Sequence, residues 1–174
     1  YVKKGTKIKP IIYGGGQEKG MRSGTENVPA IAGIGQASFD MYANLEANKE
    51  HMYKLKERFI ERLSEIDGVK VNGIPPEGVR ATAPHVVSVS FAGIRAEVLL
   101  NALCEMGVYV SSGSACSSNH PDISGTLQAI GVDKSLLDST IRFSFSENTN
   151  EEETDYAIEC LKKVLPQLRR FSRK

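Results

Sequence analysis

The sequence predicts a mixed α/β fold, a small α+β domain in which one sheet is packed by helices. Three observations carry this expectation. The segments "HVVSVSF" (85–91) and "STIRFSFS" (139–146) alternate apolar and polar residues with a period of two. Val98, Leu99, Ala102, Leu103 and Met106 recur at helical spacing across 95–106. The stretch "TNEEETDYAIECLKKVLPQLRRF" reads as a capped final helix whose basic end suits the macrodipole.

In chain order, residues 1–22 read as short and β-like, with "YVKKG" as the end of a strand entering a turn and "IKPIIYGGG" closing on a glycine cluster. They hold too little apolar surface for a core of their own and need a partner. Ser23 and Glu26 in "SGTE" have the spacing of a capping box, and Pro29 suits a first helical turn. The helix that starts near Val28 passes through Ile31, Ile34 and Phe39, then Met41, Leu45, Met52, Leu55, Phe59 and Leu63, a length that bends or breaks near Asn44. Gly68 closes it. "VKVNG" and "HVVSVSF" follow as strands, the second with Val87, Val89 and Phe91 on one side. After the helix at 95–106, "VYV" (108–110) is a short strand that delivers the chain to "SSGSACSS" (111–118). A short helix near 122–130, the strand at 139–146 and the final helix complete the order, with no internal repeat.

Composition narrows the function classes. The 174 residues suffice for one sizeable core, or for one domain plus a fragment of another. With 40% hydrophobic and 25% charged residues the chain has the make-up of an ordinary globular protein, and no apolar run nears the roughly 20 residues that cross a membrane. Lys and Arg number 22 against 21 Asp and Glu, so no overall field draws it to nucleic acid. Three cysteines without a CxxC pair or a signal peptide argue against a disulfide framework and for a reducing, cytoplasmic setting. Because the chain opens on Tyr1 in what reads as mid-domain, a piece of a longer protein is expected.

Few residues could carry chemistry. Cys104 and Cys160 lie at helical spacing from apolar neighbours and read as small core residues. Cys116 differs, because Ser114, Ala115, Ser117 and Ser118 around it are small and cannot pack it into a core. It is either an incidental loop residue or a thiol displayed for chemistry. The run "GGGQEKG" (14–20) fails both the Walker pattern, since Gly20 follows Lys19, and the dinucleotide spacing. What survives is Arg22, Ser23 and Thr25 ahead of a helix N-terminus, a place that suits a phosphate as well as simple capping. Arg142, between Ile141 and Phe143, is a surface cation or a fork able to hold a carboxylate with two parallel bonds. His51, His85 and His120 show no metal spacing, so no metal is assigned.

Taken together, "GGGQEKGMRSGTENVPAIAGIGQA" (14–37), "SSGSACSS" (111–118) and "IRFSFSENTNEEE" (141–153) resemble the C-terminal half of the pyridoxal-phosphate-dependent cysteine desulfurases of the NifS and IscS type, class-V aminotransferase relatives of fold type I. The serine-rich loop matches the group with a long cysteine loop. The resemblance implies that Cys116 is the nucleophile: its thiolate attacks the sulfur of cofactor-bound L-cysteine, takes it as a persulfide and releases alanine. It also implies that Arg142 binds the substrate carboxylate and that Thr25 reaches the cofactor phosphate of the neighbouring subunit in a homodimer. Residues 1–45 would then be the last part of the large cofactor domain, and 46–174 the small domain. A sulfur acceptor such as an iron–sulfur scaffold is the implied partner. The family's cofactor-binding lysine lies in an "HK..GPKG"-like segment that does not occur here, and Lys3, Lys4 and Lys7 do not match it. The chain alone is therefore expected to be inactive. Two other readings compete: a related lyase acting on selenocysteine or cysteine sulfinate, and a non-enzymatic persulfide relay built on Cys116.

Overall fold

The computed structural model describes residues 2–113 and 124–171. The chain divides into two compact units, Tyr1–Leu45 and Glu46–Lys174.

The first unit holds one long helix, α1 (Val28–Ala43), capped by Asn27, whose side chain accepts from the Ala30 amide at 3.1 Å. The capping box expected at Ser23–Glu26 does not form. Ser23 is buried instead, and its hydroxyl donates to the Gly15 carbonyl at 2.8 Å. Nor do the described residues ahead of α1 form the expected strand; they run as turns with one 3-10 turn at Gln17–Gly20. An isolated extended segment has no ladder to join, so its amides bond locally, as Thr6 N does to the Lys3 carbonyl at 3.1 Å. None of the α1 residues is buried.

The helix breaks at Asn44, and α2 (Leu45–Ser64) belongs to the second unit from Glu46 onward. It ends ahead of Gly68, which, at φ +67°, makes the left-handed turn into β1 (Val69–Asn72). A four-stranded antiparallel sheet follows in the order β1-β2-β4-β3, with β2 at Val86–Phe91, β3 at Ser111–Ser112 and β4 at Thr140–Ser144. Helices α3 (Ala96–Glu105), α4 (Gly125–Ala129) and α5 (Glu151–Phe171) complete it. The α5 cap is reciprocal. Asn150 Oδ1 accepts from the Glu153 amide at 2.9 Å while the Glu153 carboxylate accepts from the Asn150 amide at 3.0 Å.

The core lies between one face of the sheet and the helices. Val87, Val89, Phe91, Ile141 and Phe143 meet Phe59 and Leu63 of α2, Leu99 and Leu103 of α3, and Ile158, Leu161 and Leu165 of α5. The Phe59 ring packs edge-on against Phe143 at 4.9 Å and Phe145 at 5.5 Å. Arg58 and Arg62 of α2 bridge to Asp155 of α5, and Arg62 also to Glu159.

Three further sequence expectations do not hold in the second unit. The strand falls at 111–112 rather than 108–110, because Val108 and Val110 turn onto the core and only Ser111 and Ser112 reach the β4 edge. Cys104 is exposed on α3. It sits one residue past buried Leu103, so its side chain is rotated away from the Leu99–Leu103 seam. Val98 is exposed for the same reason. Cys160, by contrast, is buried as expected.

Candidate functional site

Because β4 alternates, Ile141 and Phe143 are pinned into the core and Arg142 emerges on the opposite face, exposed. That face is polar apart from Val86 at the start of β2, which is opposite Ser144. Register places Arg142 directly opposite Ser88 of β2 and Ser111 of β3, with Ser90 opposite Thr140 and Asn72 opposite Ser88 one strand further on. Directly opposed residues hold their Cβ atoms about 4.5–5.5 Å apart, so the guanidinium stem rises between two serines. No hydrogen bond or ion pair engages the Arg142 side chain among the described residues. A planar fork free of an internal acid and flanked by hydroxyls can receive a carboxylate.

Beside it lies a polar chain that sequence reading did not find. Asn72 Nδ2 donates to Ser90 Oγ at 2.8 Å, the Ser90 and Thr140 hydroxyls meet at 2.6 Å, and Thr140 Oγ1 donates to the Leu136 carbonyl at 2.7 Å. All three side chains are buried, and Asn72 Oδ1 is a buried oxygen with no partner among the described residues. The only signal in the sequence was the alternation of "VSVSF" and "STIRFS", which shows a polar face but not its connections.

In the first unit, the glycine-rich stretch closes on itself ahead of α1. Gln17 Oε1 accepts from the Gly24 amide at 3.2 Å, and a Cβ on Gly15 would come within 2.4 Å of that same oxygen, so a side chain there would force the clasp open. Arg22 Nη1 donates to the Gly24 carbonyl at 3.0 Å, and Ser23 anchors the loop to Gly15. Thr25 is left exposed, two residues before the helix cap, with no side-chain hydrogen bond among the described residues. A free hydroxyl beside Arg22 fits a phosphate oxygen. Cys116 lies outside the described residues. Among the described residues no helix is long and apolar enough to cross a membrane, and no cluster of His, Cys, Asp or Glu could hold a metal.

The described part of the second unit is thus an antiparallel sheet whose core face meets α2, α3 and α5 and whose other face carries Arg142 among hydroxyls, with no acid paired to it among the described residues. The chain belongs to the class-V aminotransferase family, whose model matches residues 1–156. It is similar to the cysteine desulfurase IscS of Methanosarcina thermophila, at 36% identity over 99% of this chain, and to the cysteine desulfurase IscS of Clostridium botulinum, at 38% over 99%. Among solved structures it is similar to a NifS-like protein, with a TM-score of 0.81 and 36% identity over 97% of this chain. A NifS-like protein from Rickettsia africae gives a TM-score of 0.78 at 30% identity over 92%. The chain spans 42% and 43% of the two curated relatives' lengths, and 42% and 41% of the two solved chains.

Proposed function

We propose that this chain is the C-terminal part of a cysteine desulfurase that takes sulfur from L-cysteine as a persulfide on Cys116 and releases L-alanine. The observation that carries the reading is Arg142: an exposed guanidinium on the polar face, unpaired among the described residues and opposite Ser111, three residues before Ser114 in the serine-rich cysteine segment. Its fork orients the substrate by the carboxylate. The Cys116 thiolate then forms a bond to the substrate sulfur as the carbon–sulfur bond breaks, and the carbon keeps the electron pair and is protonated to give alanine. Pyridoxal phosphate, when bound, supplies the electron withdrawal that makes this cleavage possible. In this chain Thr25 would hold its phosphate, from the neighbouring subunit of a homodimer, and no lysine here matches the one that holds the cofactor. The first unit is read as the remnant of the cofactor domain. The apolar surface of α1 supports this, with Ile31 at 54%, Ile34 at 69% and Phe39 at 71% exposed, more than one isolated helix of a finished fold leaves in water. The acceptor of the sulfur would be an iron–sulfur scaffold or another thio-cofactor pathway protein, in the cytoplasm.

The test is Cys116→Ala in the intact protein. Alanine and persulfide formation should fall to background while the cofactor absorbance persists. Retained sulfur transfer would remove Cys116 from the mechanism.

A further inference from the structure

A second site, independent of the desulfurase reading, lies where β1 ends and β2 begins. A cavity of about 150 Å³ is lined there by Lys56, Asn72, Ile74, Thr82, Ala83 and Ser88, with valine side chains between them. Lys56 belongs to α2 yet is only 2% exposed, which is unusual for an ammonium group. Its Nζ donates to Thr82 Oγ1 at 2.6 Å and to the Ala83 carbonyl at 2.8 Å, leaving one of its three donors unused among the described residues. Both partners are neutral. No carboxylate pairs with Lys56 among the described residues, and the α2 acids Glu50 and Glu57 are both held by Arg80.

A buried charge without a counter-charge is costly and calls for an anion or for loss of its proton. Burial does push the Lys56 amine below its ordinary value. The cavity offers the other solution, since its volume holds several waters or one small oxyanion. Ser88 can donate as well, because among the described residues its hydroxyl makes one hydrogen bond, which it accepts from Asn72 at 3.5 Å.

We propose that this cavity binds a small oxyanion, a carboxylate or a phosphate, through the free Lys56 donor and the Ser88 hydroxyl. The site is read directly by methyl NMR of the intact, cofactor-loaded protein, following the Val71 and Val86 methyls during titration with acetate or inorganic phosphate at constant ionic strength. These methyls line the cavity, and loss of their shifts in Lys56→Met separates binding there from binding elsewhere. Saturable shifts with either ion are expected, the tighter one naming the class, and Lys56→Met should weaken that ion at least tenfold. Shifts that never saturate, or that survive unchanged in K56M, overturn the proposal. Where K56M does not fold, Ile74→Trp at the cavity rim carries the test, and unchanged affinity there overturns it equally.

Discussion

Arg142 and Ser111 share one rung of the β4–β3 pair, side by side on the polar face of the sheet. Arg142→Ala in the intact protein removes a charge-assisted carboxylate contact worth about 1.5–3 kcal/mol. The KM for L-cysteine should therefore rise about 10- to 100-fold. Because the side chain is exposed and has no hydrogen bond or ion pair among the described residues, the unfolding free energy should move by no more than about 0.5 kcal/mol. Arg142→Lys keeps the charge but not the fork and should fall between the two. An unchanged KM in R142A would refute the carboxylate role.

Phe59 is 1% exposed and joins α2 to β4 through Phe143. Phe59→Ala should cost about 3–5 kcal/mol in urea unfolding, from lost transfer free energy and the cavity left behind. A loss below about 1 kcal/mol would mean that α2 does not pack on the sheet in this way.

Thr140→Val keeps the shape of the side chain and deletes the hydroxyl that links Ser90 to the Leu136 carbonyl. The buried Ser90 hydroxyl loses its acceptor, and stability should drop by about 1–3 kcal/mol. Ser90→Ala should cost less in the Thr140→Val background than on its own, because there the Ser90 hydroxyl has already lost its acceptor and only the Asn72 Nδ2 contact remains to be broken. Strictly additive losses in the double variant would argue that the two hydroxyls are not coupled.

Hydrogen bonds from Arg58 and then Arg62 hold the Asp155 carboxyl below its ordinary value. The unfolded chain therefore binds a proton there before the folded one does, so stability rises with pH across that window. The contribution is complete above the unfolded value of about 3.9 and is lost as pH falls through the depressed folded value. Asp155→Asn should flatten the acid limb of a stability–pH curve, and high salt should shrink the difference. Parallel acid limbs in the two proteins would show that Asp155 is not linked to folding.

Much of the second unit was legible in the sequence because strands and helices impose different periods on one chain. The buried series Val87, Val89 and Phe91 follows the period-two pattern, and the break at Asn44 falls where the apolar stripe meets a poor helix former. Tertiary choices were not legible. Ser23 had the right spacing to cap a helix, but a carbonyl eight residues upstream claimed its hydroxyl. Val108 and Val110 look like a strand, yet the ladder exists only where β4 offers free backbone groups. Lys56, between Leu55 and Glu57, reads as a surface residue of α2, and only the turn at Thr82–Ala83 buries it. Of the candidate site, the placement of Arg142 opposite the core face was readable from alternation, whereas the buried amide and hydroxyls beside it required the register.

The polar chain beneath Arg142 also has a fixed sense. A carbonyl only accepts, so Leu136 takes the Thr140 proton, Thr140 must receive from Ser90, and Ser90 from Asn72. Neither hydroxyl is a free rotor, and the Asn72 amide cannot turn over without setting oxygen against oxygen. The facing of an amide on one strand is thus dictated by a carbonyl in the turn that precedes another. Strand register and proton order become one property, and a slip of a single residue would scramble both.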